Sequence, residues 1–238
     1  MITVHAIVRN EDQFIDSALR SVLSSKDVTR VLIWDTGSTD STVEKVLSIH
    51  DPRIDFQKRV SVTRRQLVAL RNEQIRLTTT SWFLLVDGDE VWPKNQLKKL
   101  STAMKKCNHE TIALVCRTRN VVGDLRHYLP NSEGKYKIGP WAGHLNIRAV
   151  RNLPGLAVKG EYPNEWYELD GKKIQDQPGR LQFVDSWYLH ATHLRRSSSW
   201  VSEAATTDRL KKHKWFYKLR RKKLLAMPKK ELPEALKK

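Results

Sequence analysis

Short apolar runs alternate with amphipathic stretches through the first 120 residues, and that alternation limits the possible folds more than any other feature. Residues 2–8 are rich in β-branched side chains and read as a buried strand. Residues 11–23 set Phe14, Ile15, Ala18, Leu19 and Val22 on one face of a helix. The pattern then repeats, with strands over 31–34, 54–56, 82–86 and 111–118 and helices over 41–49, 67–77 and 94–106. The strands are apolar throughout rather than alternating, as expected where helices cover both faces of a parallel sheet. Residues 121–195 differ: they are dense in Gly, Pro and aromatic residues, show no amphipathic helix, and offer strands at 145–150 and 183–189. Residues 197–227 are helical in character again, with Ser197, Ser198 and Ser199 as candidate N-caps.

A chain of 238 residues suffices for one sizeable domain. No apolar stretch approaches the roughly twenty residues of a spanning helix. The first residues lack the basic-then-apolar layout of a signal peptide. Cys107 and Cys116 are too few for a disulfide framework and lack the spacing of a zinc or redox pair. A reducing, cytoplasmic setting is the expectation. Lys and Arg outnumber Asp and Glu 43 to 26, a formal charge of +17. Residues 209–238 hold 13 of those basic residues against Glu231 and Glu234, so they carry +11 and leave about +6 for the rest. Attraction to polyanions is therefore largely a property of the tail.

Ligands of open parallel sheets bind beyond the carboxyl ends of the strands. Three strands end there in polar residues: Arg9-Asn10-Glu11, then Asp35 with the Gly37-Ser38-Thr39 turn, then Asp87-Gly88-Asp89-Glu90. Two carboxylates flanking a glycine after a five-residue apolar run suit a hard divalent cation such as Mg²⁺ or Mn²⁺. The glycine lets the backbone turn tightly enough for both side chains to approach one site. A cation held there could bridge a diphosphate.

Ile7-Val8-Arg9-Asn10-Glu11, Asp35-Thr36-Gly37-Ser38-Thr39-Asp40, Arg71-Asn72 and Leu85-Val86-Asp87-Gly88-Asp89-Glu90 together resemble the ordered motifs of family 2 glycosyltransferases of the GT-A fold. The resemblance covers about residues 1–120, and the order of four motifs is far more specific than any one. It implies a Rossmann-like, mixed but mainly parallel sheet flanked by helices, and inverting transfer from a nucleotide-diphosphate sugar. It further implies that Arg9, Asn10 and Glu11 line the nucleoside pocket and that Asp35 accepts a hydrogen bond from the base. Arg71 and Asn72 would serve the nucleotide or pyrophosphate. Asp87 would contact the ribose or the metal's water shell, and Asp89 would be the main metal ligand. Asp40 is equally well explained as a cap of the second helix.

An inverting transfer needs a carboxylate to deprotonate the acceptor. Residues 145–148, 155–160 and Pro163-Asn164-Glu165-Trp166 resemble a later segment of some of these enzymes, which makes Glu165 the candidate base, with Glu161 and Asp170 behind it. His190 is the candidate third metal ligand and His193 the alternative. Arg195 and Arg196 are candidates to neutralise a diphosphate, and Trp141, Trp166 and Trp187 are candidate sugar platforms or core. The domain reading is 1–196 as the GT-A unit, with 1–120 its nucleotide-sugar half and 121–196 its acceptor half. Residues 197–238 form a basic helical appendage.

Residues 209–227 mix Lys and Arg with Trp215, Phe216 and Tyr217. Two readings stay open: a basic helix on the anionic inner face of a membrane, or a helix packed on the body with solvated lysines. No recognition motif points to specific nucleic acid. Acceptors of carbohydrate, lipid-linked or protein type are compatible with the resemblance. The rival functions are a nucleotidyltransferase of similar fold and a non-enzymatic membrane or nucleic-acid binding module.

Overall fold

A computed structural model describes residues 1–59, 62–199 and 224–236. The strands expected in the first half form its centre. β1 (Ile2–Val8) runs parallel to β2 (Val28–Asp35) and to β4 (Trp82–Leu85), and β3 (Ile54–Lys58) runs parallel to β2. Between them lie α1 (Ile15–Leu23), α2 (Thr42–Leu47) and α3 (Arg64–Leu77). After β5 (Glu90–Val91) and α4 (Lys94–Lys106), β6 (Ala113–Val122) leads to a hairpin strand β7 (His127–Tyr128). The sheet order is β3-β2-β1-β4, followed by an antiparallel strand β10 (Leu145–Arg151) inserted between β4 and β6. The pair β8 (Tyr136–Ile138) and β9 (Trp141–Gly143) stands apart. A small sheet of β11 (Ala157–Lys159), β12 (Trp166–Leu169) and β13 (Lys172–Lys173) also stands off the main one. A long strand, β14 (Leu181–His193), pairs parallel to β6 and antiparallel to β5, setting His190 opposite Glu90. The mixed, mainly parallel sheet flanked by helices is the expected class.

Side chains alternate between the two faces of each strand. Val4, Ile33 and Leu84 pack against Ile15, Leu19 and Val22 of α1 and Leu97, Leu100 and Met104 of α4. Phe83, Leu85 and Val115 face the other way, onto Ile75 of α3 and onto Leu156, Val158 and Leu169. Each such side chain contributes about 1.5–3 kcal/mol relative to exposure.

Two helix starts differ from the sequence reading for local reasons. The helix expected from residue 11 begins at Ile15, because the Glu11 carbonyl accepts both the Phe14 and Ile15 N–H groups (3.0 and 2.9 Å) in a preceding turn. The helix expected from residue 67 begins at Arg64, where Thr63 and Gln66 form a reciprocal capping box.

The basic helix expected over 197–227 falls mostly outside the described residues. At its described end the chain is instead a strand, β15 (Leu225–Ala226), antiparallel to β7. Residues 224–236 then return to the body. Met227 joins Phe14, Val121, Trp187 and Leu189 in a third apolar cluster. Glu231 pairs with Arg119 at 2.6 Å, and the Ser17 hydroxyl donates to the Ala235 carbonyl at 2.9 Å.

Candidate functional site

The carboxyl ends of β1, β2 and β4 converge, and the turn after β4 lies closest to the exit of β1. A Cβ at Gly88 would stand 2.6 Å from Glu11 Cγ and 2.8 Å from Glu11 Cβ, so only glycine admits this approach. The turn delivers three acids into little space. The Asp87 side chain is 44% exposed and lies 3.2 Å from Arg148 Nη2. Glu90 is fully buried, ion-paired with the same guanidinium, and accepts the Asp87 N–H at 3.2 Å. Asp89 is 1% exposed, and neither of its oxygens has a hydrogen-bond partner among the described residues. Its counter-charges are His190 Nε2 at 3.4 Å and Arg196 Nη1 at 3.6 Å.

Buried acids persist only beside buried cations. Burial would raise the Asp87 carboxyl, but Arg148 and Arg71 outweigh it and hold Asp87 below the usual carboxylate range. Burial opposes the charge of Asp89 too, and His190 and Arg196 overcome it, again to a lowered value. Burial would lower His190, yet Asp89 and the neighbouring acids raise it. Glu90 goes the other way: burial, with Asp87 and Asp89 adding to it against Arg148, pushes it up to about 8. Arg148, which also donates to the Tyr188 hydroxyl at 2.9 Å, is held well above its ordinary value despite its burial.

Asp87, Glu90 and His190 each offer a ligand atom, all within 4.8 Å of one another. Two carboxylates and an imidazole suit a hard or borderline divalent cation. The hydrogen-bond-free oxygens of Asp89, beside the same histidine, are a second sign that the residues fit one. The structure thus gathers the expected Asp87 and His190, sets Asp89 next to the histidine, and adds Glu90 to the candidate ligands.

The β1 and β2 rim is built differently. Asp35 is buried, and its carboxylate accepts the Gly37 and Ser38 N–H groups (each 3.0 Å) and the Ser38 hydroxyl. Gly37 has φ +100, a left-handed turn open to glycine at no cost. Asn10 donates its N–H to Ser38 Oγ at 2.9 Å and accepts the Thr39 N–H at 2.8 Å. Arg9 is exposed beside them. Asp40 caps the start of α2, accepting from the Thr42 N–H at 3.0 Å.

On α3, Arg71 Nε lies 3.3 Å from Glu165 Oε1, with side chains only 19% and 14% exposed. Asn72 spends both ends of its carboxamide on the Val158 backbone (2.9 and 2.8 Å), fastening α3 to β11. It supports Arg71 from behind instead of facing a ligand. Glu161 is exposed, and Asp170 pairs with Arg180 at 2.8 Å. Trp141 stacks on Phe183, Trp166 lies under Lys173, and Trp187 lies under Arg119, so all three have protein partners.

Sequence reasoning missed Glu90 as a ligand and Arg148 altogether. An arginine set between Ile147 and Ala149 inside a strand was the available signal.

With this geometry in place, comparison with known proteins is informative. The profile of glycosyl transferase family 2 matches residues 3–156. That is more than half of the chain, so the chain belongs to this family. No curated protein matches. Among solved structures, S. aureus TarS 1-349 in complex with UDP-GlcNAc superposes with a TM-score of 0.56 at 15% identity, covering 87% of this chain and 64% of that one. Glucosyl-3-phosphoglycerate synthase from Mycobacterium tuberculosis, in complex with Mn²⁺, UDP and glucosyl-3-phosphoglycerate, gives 0.51 at 15% identity, covering 80% and 72%. The crystal structure of S. aureus TarS gives 0.53 at 16% identity, and this chain spans only 36% of its length. At these identities the likeness is one of fold, and the fold is GT-A. Family membership sets aside the nucleotidyltransferase of similar fold.

Proposed function

We propose that the chain moves a sugar from a nucleotide-diphosphate donor, a UDP- or GDP-sugar, to an acceptor hydroxyl with inversion at the anomeric carbon. The observation that carries this reading is the cluster after β4, where Asp87, Asp89, Glu90 and His190 are crowded against Arg148 and Arg196. The solved relatives support the donor class, since one is described with UDP-GlcNAc and the other with Mn²⁺ and UDP. Asp87, Glu90 and His190, with Asp89 beside them, would hold Mg²⁺ or Mn²⁺. When bound, that ion supplies positive charge to the departing diphosphate.

Glu165 is the proposed base. Its Oε1 is oriented by Arg71, while Oε2 is buried with no hydrogen-bond partner among the described residues. That oxygen takes the proton of the acceptor hydroxyl as the new bond forms to the anomeric carbon. The bond from that carbon to the diphosphate breaks on the opposite face. Arg9, Asn10, Glu11 and Asp35 would surround the nucleoside, and Arg71 would border the donor from α3, with Asn72 fastening that helix to β11 behind it. Residues 1–120 would serve the donor and 121–196 the acceptor, whether carbohydrate, lipid-linked or protein. A cytoplasmic enzyme whose residues 209–227 meet an anionic inner membrane face would suit a lipid-linked acceptor.

Calorimetric titration with UDP and with GDP, each with and without Mn²⁺, tests the reading. Cation-dependent binding of either nucleotide supports it, and failure of both to bind overturns it.

A further inference from the structure

We propose that Arg196 is a resident counter-cation of Asp89, hung from a clasp of Asp12 and Asp40, which keeps a divalent cation weakly bound until a nucleoside diphosphate arrives. The inference rests on Asp89 belonging to the cation site proposed above.

Arg196 does not touch Asp89 as a committed partner would. Its Nη1 donates to Glu11 Oε1 at 2.7 Å but stands 3.6 Å from Asp89 Oδ2, beyond a hydrogen bond. It therefore neutralises Asp89 by charge alone and leaves the carboxylate lone pairs open to another cation. The chain around it is fixed by other means. The Gln13 N–H donates to the Arg196 carbonyl at 3.0 Å. The Ser197 hydroxyl donates to Asp40 Oδ2 at 2.5 Å. The Ser198 N–H donates to Asp12 Oδ1 at 2.8 Å, and the Ser198 hydroxyl reaches the other oxygen of Asp12. The Arg195 guanidinium folds back onto the Ser197 and Ser198 carbonyls (3.0 and 2.9 Å).

The backbone of Arg196 is thus fixed beside the site, and its guanidinium, tied to Glu11, opposes a divalent cation that approaches Asp89. Like charges this close repel in a partly buried site. A diphosphate reverses the balance, because its negative charge offsets both the divalent cation and the guanidinium, which already pairs with Glu11. Cation and nucleotide thus tighten each other's binding, and Arg196 carries the coupling. Asp12 and Asp40 are positioning residues that act through it.

The test is Mn²⁺ affinity, measured by electron paramagnetic resonance on the full chain, alone and with saturating UDP. R196Q should bind Mn²⁺ alone about tenfold tighter than the wild type and lose most of the tightening caused by UDP, while R196K stays near the wild type. Should R196Q fail to fold, S198A, which loosens the clasp outside the site, should shift Mn²⁺ affinity the same way by a smaller factor. Equal Mn²⁺ affinity in wild type and R196Q, or in wild type and S198A where that variant decides, overturns the inference alone. If the wild type binds no Mn²⁺ with or without UDP, the cation site and this inference fall together.

Discussion

Two stretches of the same sheet edge satisfy their polar groups in opposite ways. At the ends of β1 and β2, Asp35, Gly37, Ser38, Asn10 and Thr39 exchange hydrogen bonds among themselves. Around the turn after β4, and between α3 and the loop before β12, ionic groups stand at ion-pair distance, yet both Asp89 oxygens, Glu165 Oε2 and Arg71 Nε lack hydrogen-bond partners among the described residues. A buried charge without hydrogen bonds costs free energy. The first rim is therefore a support whose bonding is complete within the chain. The second leaves polar atoms unmatched at the expense of stability, and they are the atoms that the proposed cation and acceptor would match.

Removing a member of the unmatched rim should hurt function far more than folding. For Asp89→Asn we expect turnover to drop about 10³-fold, with the circular dichroism spectrum unchanged; wild-type turnover would contradict the role given to this rim. Glu165→Gln should lower transfer by ~10²–10⁴-fold while UDP affinity, read by calorimetry, is retained. On the satisfied rim the ranking inverts. Ser38→Ala should cost about 1–2 kcal/mol of stability in denaturant melts and leave Mn²⁺ affinity unaltered.

The smallest effect is on pH dependence in chelator-treated protein. His190 is raised by Asp89, so its contribution is complete below its ordinary range and is lost as pH rises through the raised value. Glu90, pushed up to about 8 from an ordinary 4.5, acts with the same sign. Asp87 and Asp89, being lowered, act with the opposite sign and only in acid. The melting temperature should fall as pH climbs from about 5 to about 8.5, and less steeply in Asp89→Asn. A flat profile would erase the contrast between the two rims.

The first 120 residues were legible because each of their signals is local. A five-residue apolar run followed by Asp87-Gly88-Asp89 announces a strand and its polar end within one window, and the Asp35 turn does the same. The rest of the cluster was not legible, because its geometry is made by pairing across the chain. Glu90 meets His190 only through the β5–β14 ladder, 100 residues apart in sequence, and Arg148 reaches both acids from the inserted antiparallel strand β10. The sheet of β11, β12 and β13 escaped notice for another reason. Its strands are two to four residues long and carry Lys159, Lys172 and Lys173, so no alternation of period two can emerge.

The return of residues 224–236 to α1 and β7 changes how the polybasic stretch can be studied. Cutting the chain at residue 200 looks like the simplest way to discard those lysines and arginines, yet it would also pull Met227 from the apolar cluster that holds Trp187 and strip Glu231 from Arg119. Any loss in a truncated protein would then mix a damaged core with missing charge. Swapping lysines for glutamines within 209–223, at constant length, isolates the electrostatic part.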